Sequence, residues 1–231
     1  MFRLIISLVL SGIFTIAHAA NITDLDIKLD QNKLKNGELQ TFVDTLESDG
    51  TFGKKRVIGV IMIEATLEEV WKVIKNWDNY GEFVPGLKYY KTIQKKMFRE
   101  HPAYFQSFIE GYIKLPVPFI RKTYTLDALF DQKKYFIQWA LVKYDRIESL
   151  RKQGLSLTKS SNVVQNIDGF SYLKPFDNET KTILYYSSVV EISIPVPQRV
   201  EQFLSGTIMK GFMEAIKNRV ETQRNDIRVK E

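Results

Sequence analysis

Apolar residues recur along the chain with two different periods, and the order in which those periods follow one another sets the fold class. Residues 56–63 are rich in β-branched side chains and predict a strand. Residues 38–46 predict an earlier one, separated from it by the turn chemistry of Ser48, Asp49 and Gly50. At Thr66 the period changes. Leu67, Val70, Trp71 and Ile74 have the spacing of one buried helical face. Thr66 is a cap residue, and Glu68 and Glu69 place negative charge at the positive end of the helix dipole. Residues 76–83 predict a second short helix, stopped by Val84, Pro85 and Gly86. Strands are expected over 87–94, 103–115, 122–130 and 135–144, with a tight hairpin at 131–134. Residues 145–161 are polar and charged and read as a long loop with room for a helical turn. Two more strands, 163–173 and 182–194, flank a loop at 175–179, and Pro195 and Pro197 then break the sheet. Residues 198–224 contain no proline and carry a wide apolar stripe that includes Val200, Phe203, Leu204, Ile208, Met209, Phe212, Met213, Ile216 and Val220. Such a stripe predicts a long, largely enclosed helix. Helices segregated from an antiparallel meander make the fold class α+β.

The N-terminus changes the picture of where this domain works. After Arg3, residues 4–17 are apolar and uncharged, and Ala17-His18-Ala19 is a small-x-small cleavage site. That is the layout of a secretory signal, too short for a comfortable membrane span. The expected organisation is a signal at 1–19, a polar leader at 20–37 that packs loosely or not at all, one domain over 38–224 and a polar tail at 225–231. The expected location is periplasmic, after secretion. Hydrophobic residues make up 44% and aromatics 13%, enough for a domain of this length to be held by packing. The chain has no cysteine, which excludes thiol chemistry and cysteine-ligated metals. Its net charge of +6 is spread over the chain. It reads as a solvated basic surface, with affinity for anionic lipid head groups as the other reading.

Catalytic constellations are scarce. Beyond the signal the one histidine is His101, expected in a turn, so neither a Ser/His/Asp triad nor a histidine-rich zinc site can be assembled. No glycine-rich phosphate loop is present. Glu110 shares a strand side with Phe108 and Tyr112 by period-two alternation. Facing an apolar cavity, it would be an acid with a raised pKa and a candidate catalytic group. The alternative is an outward glutamate, or one paired with a basic residue. The strand aromatics instead suggest a cavity for a molecule with an apolar body and a sparse polar handle, an ordinary filled core being the competing reading. The candidate ligand-binding set is Phe108, Tyr112, Tyr124, Leu126, Trp139, Tyr172 and Tyr185 from the strands, with Ile208, Met209, Phe212, Met213 and Ile216 from the terminal helix. Gly206 and Gly211 leave room beside that helix, and its methionines adapt to irregular shapes. Phe83, Val84, Val117 and Phe119, near Lys88, Lys91, Arg121 and Lys122, form a candidate membrane-docking rim.

Three segments carry a resemblance. Ala65, Val70 and Trp71 within 63–74 are similar to a strand followed by an Ala-x-x-x-x-Val-Trp helix. Asp78, Tyr80, Phe83 and Pro85 within 76–87 resemble an aspartate–tyrosine helix ending in Phe-x-Pro. Pro116, Pro118 and Arg121 resemble a Pro-x-Pro turn before an arginine-started strand. Residues 169–175 echo a Gly-x-Trp-x-x-x-Pro strand without its tryptophan. Together they resemble the START-like superfamily, also called SRPBCC, which includes lipid-transfer START domains, polyketide cyclases and coenzyme Q-binding proteins. The resemblance covers roughly 38–224 and points to an exported bacterial member. It implies a helix-grip fold, a curved antiparallel sheet around a long C-terminal helix, with a cavity for an apolar ligand. The expectation is a binding or transfer protein for a lipid or other apolar small molecule. That protein would be monomeric, with transient membrane-surface contact and without nucleic acid, cofactor or metal. Two alternatives stay open: a cyclase- or hydrolase-type enzyme using Glu110, Asp127 or tyrosine hydroxyls, and a filled domain acting as a protein-interaction module.

Overall fold

The computed structural model describes residues 27–45, 55–114, 121–159, 164–192 and 198–228. The signal segment, the start of the leader, the Ser48–Gly50 turn, Val117, Phe119, Pro195, Pro197 and the side chains of Val200, Phe203, Leu204 and Gly206 lie outside the described residues.

Among the described residues, eight strands form one antiparallel sheet. They are β1 (Gln40–Thr45), β2 (Lys55–Ile63), β3 (Leu87–Phe98), β4 (His101–Lys114), β5 (Arg121–Asp131), β6 (Phe136–Leu141), β7 (Val164–Phe176) and β8 (Lys181–Ile192). Their spatial order is β1-β2-β8-β7-β6-β5-β4-β3. The sheet is curved and open. β3 is an edge strand, and Lys88, Lys91, Lys95 and Lys96 together with its register shifts protect it from pairing with another chain. Hairpins β3–β4, β5–β6 and β7–β8 turn at one end of the sheet. At the β5–β6 tip the Asp131 carboxylate accepts from the amides of Lys133 at 3.0 Å and Lys134 at 3.1 Å.

The crossover from β2 to β3 is α2 (Leu67–Ile74) followed by a 3₁₀ helix (Trp77–Glu82). Thr66 and Glu69 close a capping box at the start of α2. The buried face of α2 comprises Val70, Trp71, Val73 and Ile74. The terminal helix, α4 (Gln198–Arg228), lies on the same face of the sheet, against β2, β8 and α2. Met209, Met213, Ile216 and Val220 are its buried stripe, at the spacing of one helical face. Its C-terminal half is pinned to the β2–α2 junction. Lys217 donates to the Met62 carbonyl at 3.1 Å, the Glu64 amide donates to Glu221 at 2.9 Å, and Arg224 donates to the Glu64 carbonyl.

Two covers on the opposite face of the sheet depart from the sequence expectation. The end of the polar leader is ordered: α1 (Gln31–Lys35) is capped by Asp30 and buries Leu34 completely against Ile58, Val60 and Met62. The expected loop at 145–161 contains α3 (Tyr144–Lys152). With Leu157, this helix buries Ile147 against Phe108 and Val142. Both segments are polar in sequence because each spends a single side chain on the core. His101 is the first residue of β4 rather than a turn residue.

Candidate functional site

The candidate site is the region where α4 packs on the inner face of the sheet. Alternation places Gly59 and Ile61 of β2, Tyr90 of β3, Phe105 and Ile109 of β4, and Tyr124, Leu126 and Phe130 of β5 on the inner face. Trp139 of β6, Leu173 of β7, and Leu184 and Tyr186 of β8 join them. Rings dominate the lining. Trp77, on the 3₁₀ helix, stands in the middle: its ring lies 5.2 Å from Tyr90, 5.4 Å from Trp139, 5.8 Å from Phe130 and 6.1 Å from Tyr80. Phe212 of α4 stacks on Tyr186 at 4.3 Å. Three inner-face glycines make this packing possible. Met209 and Met213 fill the space over Gly59, and the Trp139 ring covers Gly169. The rings of Tyr90 and Tyr124 would each stand 2.6 Å from a Cβ at Gly111.

The phenols are the only polar tips carried by these rings apart from the two indoles. Tyr80 donates to the Ile74 carbonyl at 2.7 Å, and the hydroxyls of Tyr90 and Tyr124 share a hydrogen bond at 3.2 Å. Burial raises the pKa of Tyr80, Tyr90 and Tyr186, and pushes Tyr124 up to about 12 against the Tyr90 hydrogen bond, which lowers it. A phenol whose pKa is raised by folding stabilises the native state fully below its unfolded value of 10.0, and that contribution is lost as pH rises towards about 12. Alkaline titration is expected to show the phenolate absorbance of these tyrosines appearing together with loss of the far-ultraviolet circular dichroism signal. Tyr124→Phe is expected to move the transition to higher pH. An unmoved transition would show that Tyr124 is not held neutral by the fold.

The structure brings Tyr124, Leu126, Trp139, Met209, Phe212, Met213 and Ile216 together on the inner side. Five other candidates stand elsewhere. Phe108 and Tyr112 are on the outer face, Phe108 beneath α3 and Tyr112 stacked on Tyr89 at 5.7 Å. Tyr172 and Tyr185 also face outward, their rings 5.8 Å apart on the side covered by α1. Ile208 is 42% exposed on α4. Glu110 shares the outer face with Phe108 and Tyr112, so it is not a cavity acid. It accepts from the Tyr89 hydroxyl at 2.8 Å and from Thr158. Asp127 is outward too, paired with Arg146 at 2.6 Å. Of the docking rim, Phe83 and Val84 are half-buried, with Tyr80 against the Phe83 ring and the Arg219 guanidinium over it at 5.4 Å. The candidate list lacked Trp77, Tyr80, Tyr90, Phe130 and Tyr186, which carry most of the ring contacts.

The two ends of this region differ. At the hairpin end α2 and the pinned half of α4 close it. At the other end, where β8 leads into α4, apolar inner-face side chains are only half-covered: Val57, Ile113, Val164, Tyr186 and Phe212 are partly buried, and Val190 is 53% exposed. Ile208 stands one turn along α4 from Phe212 towards the same end. Among the described residues a Cβ at Gly211 would meet only Pro85, at 3.9 Å, an ordinary contact distance.

No protein-family model matches the sequence, and no curated protein matches it. Solved structures do match the fold. A STAR-related lipid transfer protein fragment from Xanthomonas axonopodis superposes with a TM-score of 0.55 at 14% identity, over 79% of this chain and 93% of that one. The Zhui aromatase/cyclase from Streptomyces sp. R1128 gives 0.52 at 11% identity, over 80% and 94%. A START superfamily protein from Mycobacterium smegmatis gives 0.51 at 14%, over 73% and 98%. The curved antiparallel sheet, the α2–3₁₀ crossover and the long terminal helix are thus the α+β helix-grip arrangement, and the chain has the START-like fold.

Proposed function

We propose that the protein binds and carries a lipid-like molecule outside the cytoplasm, taking its apolar chain in between the sheet and the N-terminal half of α4. One observation carries this reading: the inner face is left half-covered at the end where β8 leads into α4, with Val190 53% exposed and Val57, Ile113 and Val164 only partly buried. The other end is tied shut through Lys217, Glu221 and Arg224. Each methylene taken out of water there contributes about 0.8 kcal/mol, so an alkyl chain needs no directional chemistry to be held. The phenols of Tyr90 and Tyr124, which share a hydrogen bond, offer a hydrogen-bonding handle deeper in. The fold neighbours, among them a lipid transfer protein and an aromatase/cyclase, support a hydrophobic ligand of this kind. Contact with a membrane surface through Val117 and Phe119 belongs to the proposal, as does export through residues 1–19.

Chain purified from its own host is expected to release a lipid on organic extraction, read by mass spectrometry. Delipidated chain is expected to take up cis-parinaric acid with a rise in that probe's fluorescence. Val190→Asp places a charge at a half-exposed position where the fold tolerates it, and is expected to weaken uptake by about tenfold or more. Protein that comes back empty and takes up no fatty acid would overturn the reading, and recovery of the chain in the cytoplasmic fraction would remove the export part.

A further inference from the structure

The geometry points to a second binding site, for a small aromatic carboxylate, on the far side of Trp77 from α4. A cleft of about 350 Å³ opens there between the α2–3₁₀ junction and the hairpin ends of β3, β4 and β5. Among the described residues no side chain of α4 lines it, because the Trp77 ring, packed against Tyr90 and Trp139, stands between the two spaces. The cleft shares Trp77, Phe105, Ile109 and Phe130 with the inner-face ring cluster but opens on the side away from α4, so it does not rest on the lipid-binding reading.

Three features define what the cleft would take. The floor is aromatic: Phe105 and Phe130 lie parallel, centroids 4.3 Å apart, with Trp77 beside them. A planar apolar body fits such a floor. The rim is cationic. Lys72, Lys75 and Lys95 line the cleft, and among the described residues none of them has a carboxylate partner; the Lys95 ammonium rests over the Phe105 ring at 4.1 Å. The one acid in the lining, Asp78, is occupied by the Thr92 amide at 2.6 Å and the Thr92 hydroxyl at 2.7 Å. Positive charge is left in excess.

The third feature is Ser107. It is only 4% exposed, on the inner face of β4, and it lines the cleft. Its neighbours across the sheet are Lys95 and Ala128, and it stands on the cleft wall between the Phe105 ring and the lysine rim. A hydroxyl on the cleft wall, between a ring floor and an ammonium rim, is a hydrogen-bond donor in reach of an acceptor that enters the cleft. An arene carrying one carboxylate meets all three demands: its ring covers Phe105 and Phe130, and its oxygens reach Ser107 and the lysines.

The test uses the full chain and 2-naphthoate, with 2-naphthalenemethanol as the neutral ring and hexanoate as the ringless anion. Amide chemical-shift changes on adding 2-naphthoate are expected at residues 72–78, 92–95 and 105–109, with weaker binding as salt is raised. The triple variant Lys72→Gln/Lys75→Gln/Lys95→Gln changes only exposed side chains and is expected to weaken 2-naphthoate about tenfold while leaving 2-naphthalenemethanol unaffected. Ser107→Ala is expected to weaken it about fivefold at unchanged melting temperature. Hexanoate is expected to bind more weakly than 2-naphthoate. Three results would each overturn the site: no binding of 2-naphthoate, shifts confined to α4 and β8, or binding indifferent to both variants. The last two would place the anion in the lipid space instead.

Discussion

Trp77→Ala is expected to cost about 3–5 kcal/mol of stability, the loss typical of truncating a fully packed indole. Trp77 is 5% exposed and sits on a 3₁₀ helix, which makes too few internal hydrogen bonds to persist alone. Its ring is the shared neighbour of Tyr80, Tyr90, Phe130 and Trp139. The cavity left by alanine has little means of collapsing. Tyr80 is tethered to the Ile74 carbonyl at 2.7 Å, Tyr90 to Tyr124 at 3.2 Å, and Phe130 is stacked on Phe105 at 4.3 Å. The full transfer and cavity terms therefore remain. Urea unfolding followed by circular dichroism should show the midpoint falling with the slope preserved. Trp77→Phe, which keeps an aromatic body, should recover more than half of the loss. A loss below about 1 kcal/mol for the alanine variant would mean that the ring cluster relaxes freely and that Trp77 is not its centre. The same substitution removes the wall between the lipid space and the cleft. It should therefore also let 2-naphthoate shifts spread to α4, an outcome separable from stability.

How much of this was legible in the sequence depended on whether one residue or many carried the signal. α2 was readable because cap, charge and stripe agree: Thr66, Glu69, Val70, Trp71 and Ile74 all report the same helix. α4 was readable for the same reason. The faces of β4 were not. Phe105 and Ile109 alternate with Phe108 and Tyr112, so both faces are apolar, and only the cover provided by α3 decides which is outer. That cover was itself hidden, because α3 buries Ile147 alone and reads as a charged loop. Glu110 lies on the outward side, the alternative left open in the sequence beside a cavity acid, and the same cover by α3 decides it. Tyr90 escaped notice because the register of β3 shifts between Leu87 and Tyr89 and again between Thr92 and Gln94, which breaks simple alternation. Trp77 belongs to a short 3₁₀ segment, where a 3.6-residue period carries no information about direction. The cleft was invisible for a different reason: Ser107, Lys95 and Lys72 come from three elements and become neighbours only through sheet register and the docking of α2.

Adding one methyl group at two glycines should give opposite results, and the contrast tests how the inner face is packed. Gly169→Ala is expected to destabilise by about 3 kcal/mol, at the upper end of overpacking costs. The new Cβ would stand inside the contact distance of the Ser187 carbonyl oxygen and of the Trp139 ring. The carbonyl belongs to the β7–β8 ladder and cannot retreat without breaking Gly169 from Ser188. The indole cannot lift, because Trp77 at 5.4 Å and Tyr186 at 5.6 Å hold it down. Glycine here is thus a point of close approach in a strand, not a turn. At Gly211 the same methyl meets, among the described residues, only Pro85, at 3.9 Å, an ordinary contact on a helix. Alanine there should stabilise by up to about 1 kcal/mol through helix propensity. Thermal unfolding of the two single variants separates the cases: Gly169→Ala should lower the melting temperature by about 8 °C and Gly211→Ala should raise it by a few degrees. Equal and small shifts would mean that Trp139 is free to move off β7. The inner face would then be a loose lining rather than a set ring cluster, and the ligand space would extend under the whole of α4 rather than only under its N-terminal half.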